Sequence, residues 1–440
     1  MHVLLLNQAF YPDVVATAQM GKDLADHLVR QGHSVSAIAS RSIYGQSGAS
    51  LPKRETVDGI EIHRVGFSLF GKSSIFARIL DFLFFYLLAT VRLLTMKRPD
   101  VVIAYTTPPF IMLAALVCRA LRGSKAVYWV MDLYPDLPVA CGVMKPESAL
   151  TGFLERTHRY LLFHADATVV LGRCMREKVL SKHIPPNRLV MIPVWSDLHL
   201  TSEQQAGQSQ GRSLGQATRE AMGVAPGEFL VMYSGNLGLG HDARTMAEAI
   251  KLLRDERSIR FVFVGGGKRR KEIQDFAERE GLTNVRFEPY RPREEIADSL
   301  SAADLHLISL KEGVEGIMVP SKLFGIMAVG RASVFIGHPE SEIARVLDET
   351  GSGVTVREGD AAKLADAIRE LARDRAKCAA MGVKAREGLK GAYDQTTACD
   401  AWAALLERLT APDDDPRKSE HPALAAPIWN PNPWHTTHAS

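Results

Sequence analysis

Residues 1–40 read MHVLLLNQAFYPDVVATAQMGKDLADHLVRQGHSVSAIAS, and the order of patterns in them decides the fold. HVLLLNQ is an apolar run of strand length, TAQMGKDLADHLVRQGH is a longer helical pattern, and SVSAIAS is a second short run. Strand and helix signals in alternation predict a parallel sheet covered on both faces, because parallel neighbours need a long crossover between them. His33, in RQGHSV, reads as structural and closes the helix-to-strand turn. The alternation continues outward through DVVIAYT, AVYWVMD, ATVVLG and LVMIPV.

Beyond that point the pattern restarts. A polar stretch, 198–227, is rich in Gln, Ser and Gly and reads as a flexible linker; after it come FLVMYSGNLG, RFVFVGGG, VRFEPY, DLHLISL, ASVFIG and GVTVRE, each followed by a helical segment. The expected organisation is therefore an α/β first domain over 1–197, a linker over 198–227 and a second α/β domain over 228–395. A helix over 396–410 is expected to pack back on the first domain, and the proline- and charge-rich 411–440 to form a disordered tail.

Composition narrows the classes. The chain has 440 residues, 46% hydrophobic and 23% charged, with a net charge of +3. This excludes wholesale disorder and, with no arginine-rich arm, gives no support to a nucleic-acid partner. Five cysteines without a CxxC pair suit a reducing compartment and argue against a zinc knuckle or a disulfide framework. They read as buried small apolar residues. The start carries no basic n-region and no small-residue cleavage site, so its apolar run is read as a buried strand and the location as cytoplasmic.

One segment departs from the soluble pattern: FARILDFLFFYLLATVRLLTMKRPD, 76–100. Asp81 and Arg92 interrupt it, whereas a spanning helix needs about 20 largely uncharged residues. Lys72, Arg78, Arg92, Lys97 and Arg98 flank an aromatic-rich face that includes Phe82, Phe84, Phe85 and Leu88. Two readings fit: a helix lying in an anionic membrane interface, or a core helix of the first domain.

The chemistry concentrates after strands. VPSKLFGIMAVG, 319–330, sets Lys322 in the first turn of a helix, where the exposed N–H groups are already positive and a cation is unfavourable; either Lys322 simply points into water or an anion sits between it and the helix end. VMYSGNLG (231–238) and VFVGGGKRR (262–270) end strands in glycines and let backbone N–H groups approach phosphate oxygens. No P-loop and no GxGxxG spacing occurs. In VMDLYPDLP, Asp132 and Asp136 follow a strand, where a carboxylate would orient or deprotonate an acceptor hydroxyl, although DLYPD is also good turn and cap chemistry. TTPP, 106–109, either borders an acceptor site or simply ends a strand. His241 reads either as a phosphate neighbour or as a solvated loop histidine.

The first forty residues, VYWVMDLYPD, HADATVVLG, YSGNLG, VFVGGG and VPSKLFGIMAVGRASVF occur in the order found in family-4 glycosyltransferases. The chain resembles the branch that builds bacterial exopolysaccharide and O-antigen units. The resemblance implies the GT-B fold, two Rossmann-like domains facing across a cleft, with donor on the second and acceptor on the first. It further implies a nucleotide-sugar donor, retention of anomeric configuration and no catalytic metal or other cofactor.

On this resemblance Lys322, Ser321, Gly235, Asn236, Gly265 and Gly266 hold the donor's diphosphate and nucleoside. The family's paired glutamates fall on Ile317 and Gly325 here, so Glu342 becomes the candidate for ribose and Glu312 or Glu315 for the sugar hydroxyls. VVATAQ replaces the family's GG after the first strand, giving Thr17 and Gln19, with Asp136, as acceptor contacts; Asp132 acts on the acceptor hydroxyl. The expected donor is a uridine one, and the acceptor a polyprenyl-diphosphate-linked sugar met at the inner leaflet. Rival readings are a sugar-nucleotide epimerase and an inactive membrane-associated scaffold.

Overall fold

The computed structural model describes residues 1–43, 50–66, 75–197 and 214–412, with backbone alone for 75–79 and 293. Lys72, the side chain of Arg78, most of the expected linker (198–213) and the tail from 413 onward lie outside the described residues. The chain divides into two compact units, 1–193 with 396 onward, and 194–395.

The first unit is built on β1 (His2–Leu6), β2 (Ser34–Ser40), β3 (Arg54–Val57), β4 (Ile60–Val65), β5 (Val101–Ala104), β6 (Lys125–Trp129), β7 (Ala167–Val170) and β8 (Leu189–Met191). Their order is β3-β4-β2-β1-β5-β6-β7-β8. Its helices are α1 (Ala16–Arg30), α2 (Ile75–Thr95), α3 (Met112–Arg122), α4 (Asp136–Ala140), α5 (Ala149–His164) and α6 (Arg173–Leu180). Leu4 of β1 lies opposite both Ser36 and Val102, and Val3 to Leu6 are buried, which is why this strand reads as an unbroken apolar run. The antiparallel β3–β4 hairpin was not anticipated. Its turn is Asp58-Gly59, both at positive φ (51° and 81°), the Asp-Gly turn whose twist matches that of the flanking strands.

The second unit holds β9 (Phe229–Ser234), β10 (Ile259–Val264), β11 (Val285–Glu288), β12 (Leu305–Ser309), β13 (Ala332–Ile336) and β14 (Gly353–Val356), ordered β11-β10-β9-β12-β13-β14. Every neighbouring pair is parallel. This is the doubly wound 3-2-1-4-5-6 order, whose ligand crevice lies outside the strand ends where the order reverses, here between β9 and β12. Its helices are α7 (Gln216–Ala221), α8 (Arg244–Leu252), α9 (Lys268–Arg279), α10 (Ile296–Ser301), α11 (Lys322–Ala328), α12 (Glu342–Thr350), α13 (Ala361–Arg373) and α14 (Arg375–Leu389). The last helix, α15 (Gln395–Thr410), buries Trp402 against Trp129 of the first unit, ring centroids 4.5 Å apart.

Two expectations need correction. Residues 214–227 are not flexible linker: Arg219 of α7 pairs with Asp304 at 2.9 Å, and Met222 and Val224 are buried against β9 and β10 residues. A polar composition hid a helix that is held by ion pairs rather than by an apolar stripe. In α2, Phe85 is not available for insertion, since with Ala89 and Leu93 it forms the buried i, i+4, i+8 face. The exposed face is Leu83, Leu87 and Val91. None of the five cysteines, all described, is in a disulfide; Cys118, Cys174, Cys378 and Cys399 are buried and Cys141 half-buried.

Candidate active site

In the second unit, β9 runs into Gly235-Asn236-Leu237-Gly238 and β10 into Gly265-Gly266-Gly267, and the two loops are joined edge to edge. Gly235 N–H donates to Val264 O (2.9 Å), Leu237 N–H to Gly266 O (2.8 Å) and Arg269 N–H to Leu237 O (3.0 Å). Gly235 and Gly265 have φ of 121° and 116°, and any side chain on Gly265 would lie 2.5 Å from Gly235 O. Glycine is required there by the crossing of the loops. The N–H of Gly235 and that of Gly265, which donates to Glu288 O, are thus already used, contrary to the expectation that they meet phosphate. Among the described residues, the N–H groups of Asn236 and Gly266 have no protein acceptor. Tyr290 packs its ring against Gly266, leaving half of the residue exposed.

Lys322 begins α11, after β12, and so enters the crevice at the point of strand reversal. Its Nζ lies 3.8 Å from the centre of the Tyr233 ring and donates to the Tyr233 hydroxyl, which donates in turn to Asn236 O at 3.3 Å. A side chain at Gly235 would reach within 3.9 Å of the same Nζ, so the lysine, the tyrosine and the glycine loop share one small volume. No carboxylate among the described residues lies within 4.0 Å of this ammonium. Burial draws its pKa down to about 7. Cation–π contact with Tyr233 offsets part of the desolvation and a full counter-charge is missing.

His241 is not a solvated loop residue. It is buried, with Nδ1 donating to Ser309 O at 2.5 Å. Burial, with the charges of Lys322 and Arg269, holds its pKa down to about 3 despite that bond, so the ring is neutral. It braces the edge of Tyr233 at 6.2 Å. Ser321 is half-buried immediately before Lys322, and Asn236 is exposed on the loop. Glu315 accepts Gly313 N–H through Oε2 at 2.8 Å and leaves Oε1 buried and unpartnered. Glu312 is exposed and 3.7 Å from Arg357, and Glu342 is buried in the first turn of α12. The structure brings Gly235, Asn236, Gly265, Gly266 and Lys322 together; no contact joins Glu315 or Glu342 to Lys322 among the described residues. Ile317 is buried, and a side chain at Gly325 would meet Leu300 at 3.4 Å.

In the first unit, Thr106 Oγ1 accepts the N–H groups of Met131 (3.3 Å) and Asp132 (3.2 Å), fixing the chain beyond β6 to the end of β5. No Lys, Arg or His among the described residues lies within 4.0 Å of the Asp132 carboxyl, and burial raises its pKa to about 6. Asp136 does not serve as a free acceptor contact. Lys182 binds it at 2.9 Å and Glu155 at 2.8 Å, beside the fully buried His158, whose pKa burial and Lys182 push down to about 3. Thr17 is half-buried in the first turn of α1, and Gln19 Nε2 donates to Val14 O at 2.7 Å. The sequence reading missed Tyr233, although it stands inside the quoted VMYSGNLG, missed Tyr290, which ends VRFEPY and meets Gly266 only in the fold, and missed Lys182 because its partners are 27 and 46 residues away.

Both units are α/β folds on mostly parallel sheets, and the second sets a half-buried lysine at its switch point, where sheets of this order bind ligands. Comparison makes this specific. The "Glycosyl transferase 4-like domain" family matches residues 17–195 and "Glycosyl transferases group 1" matches 228–374. The chain belongs to this glycosyltransferase family and has its GT-B fold. It is similar to WbjE of Pseudomonas aeruginosa, named a probable glycosyltransferase, at 27% identity over 71% of this chain and 76% of that one. It is also similar to WcaI of Escherichia coli (strain K12), a glycosyl transferase by name for colanic acid biosynthesis, at 24% identity over 81% and 88%. Among solved structures, Anabaena HepE in complex with UDP-glucose superposes with a TM-score of 0.68 at 16% identity, covering 92% and 99% of the two chains.

Proposed function

We propose that the protein transfers a sugar, with retention of configuration, from a uridine diphosphate donor to a lipid-linked saccharide at a membrane surface during cell-surface polysaccharide assembly. The observation that carries the reading is Lys322: a half-buried lysine whose ammonium has no carboxylate partner among the described residues, beside unpaired N–H groups, at the reversal point of the sheet. As the anomeric C–O bond breaks, charge grows on the departing diphosphate. Lys322 and the N–H groups of Asn236 and Gly266 would stabilise it without a divalent metal, each contact gaining strength in the desolvated site. Glu315 Oε1, buried and unsatisfied, would accept a hydroxyl of the donor sugar. Asp132, with its raised pKa, would orient the acceptor hydroxyl or take its proton. The name of WbjE supports the transferase reading, that of WcaI the polysaccharide pathway, and the UDP-glucose bound to HepE the uridine donor.

The test is a panel of nucleotide sugars incubated with the protein and membrane lipid extract, following nucleoside diphosphate release and label in the lipid phase. Transfer from a uridine donor into lipid is expected. Interconversion of the donor sugar with no lipid label would mark an epimerase, and no binding of any nucleotide an inactive scaffold.

A further inference from the structure

We propose that the outer face of α2, α3 and α5 is a docking surface for a bilayer containing anionic phospholipid. It deepens the reading above, whose acceptor is lipid-linked, by naming the surface that would meet the lipid. No described helix is long and apolar enough to cross a membrane, so contact would have to be lateral.

The three helices lie side by side, α2 against α3 and α3 against α5. Each already buries one face and leaves a second apolar stripe outward. On α2 it is Leu83, Leu87 and Val91, at i, i+4 and i+8; on α3 it is Leu113, Val117 and Leu121 at the same spacing. On α5, Phe153 and Tyr160 lie seven residues apart, two turns of helix. Leu87, Leu121 and Phe153 are 62%, 69% and 63% exposed. A helix that needs only to cover a sheet needs one apolar face, so repetition of a second on three adjacent helices calls for a partner.

Charge selects the partner. Lys97 and Arg98 follow α2, Arg119 lies in the last turn of α3, and Arg156 and Arg159 stand exposed on α5. Helix α3 has no acidic residue, and the one on α5, Glu155, is engaged by Lys182. A second copy related by a two-fold axis would set these cations against each other, whereas anionic headgroups neutralise them. A groove of about 420 Å³ opens between α3 and α5, lined by Arg119, Lys125, Tyr160 and His164, with Asp166 held by Arg119 at 3.1 Å. With Arg119 paired to Asp166, the Lys125 ammonium is the lining cation left to meet a phosphate headgroup.

Full-length protein is sedimented with phosphatidylcholine vesicles with and without phosphatidylglycerol. Binding to the anionic vesicles is expected to be about tenfold tighter or more, as several basic residues act together. The triple variant Leu87→Asp, Val117→Asp, Phe153→Asp should lose that binding while circular dichroism stays native. Arg156→Gln with Arg159→Gln, both on exposed positions, should reduce the anionic preference without unfolding the helix. Wild-type protein that ignores both vesicles, variants that bind as wild type, or a dimer in gel filtration that the triple variant dissolves would each overturn the proposal. Transfer to a soluble acceptor with no vesicle binding would sink this inference alone; vesicle binding with no transfer would sink only the transferase reading.

Discussion

Lys182 of the first unit and Lys322 of the second are both lysines drawn away from water, and the fold treats them in opposite ways. Lys182 is clasped by Asp136 and Glu155 within 3.0 Å, a closed cluster that holds α4, α5 and the end of α6 together. Lys322 has a ring face, a hydroxyl and no carboxylate. A buried charge with its own counter-ions is part of the scaffold; one without them keeps a standing preference for an incoming anion. Both are half-buried lysines, so the partner set is what separates structure from site.

The largest expected effect sharpens this contrast directly. Lys322→Ala should cut kcat/KM by about 2–4 kcal/mol of transition-state stabilisation, roughly 30- to 900-fold, while the melting temperature holds or rises. Retained turnover in steady-state assays would remove Lys322 from the chemistry. Lys182→Ala should do the reverse. It leaves two carboxylates facing each other and should lower unfolding free energy by about 2 kcal/mol, less than for a fully buried pair because Glu155 keeps 34% exposure. Chemical denaturation would measure this, and transfer per folded molecule should be unchanged; loss of donor binding in this variant would break the comparison.

Next is pH. The free protein loses the Lys322 proton above about 7, and a bound diphosphate favours the protonated form and raises the lysine's pKa. Donor affinity should therefore be flat below 7 with respect to this group and weaken as pH rises beyond it, by up to about tenfold per unit. Calorimetric titration across pH should show this slope in wild type and not in Lys322→Ala. The smallest expected effect is none at all: with Lys322 carrying the charge of the leaving group, EDTA should leave the rate unchanged. Loss restored by magnesium or manganese would return that role to a metal.

Much of this was legible in the chain. Alternating runs such as HVLLLNQ and SVSAIAS gave the parallel sheets, since strands buried on both faces must be apolar throughout. VPSKLFG marked Lys322 because a cation at a helix start is a local electrostatic anomaly. The β3–β4 hairpin had its signal in Asp58-Gly59, but flanking residues such as RETV alternate too weakly to be read as a strand. Helix α7 was hidden for the opposite reason: its polar sequence is held by Asp298 and Asp304, about 80 residues away, rather than by periodic apolar contacts.

Local pattern by itself determined the alternating strands and helices of two sheets, the β3–β4 hairpin and α7 apart, and that glycine loops and a lysine follow the strands of the second half. Only the tertiary structure decided what each charge means. It turned His241 from a loop residue into a neutral buried brace, spent the N–H groups of Gly235 and Gly265 on neighbouring strands, and gave Asp136 to Lys182. It also divided α2 into a buried phenylalanine face and an exposed leucine one. The physical reason is range: helix and strand patterns are written in side-chain periodicity over a few residues, whereas desolvation and pairing depend on atoms brought together from distant parts of the chain.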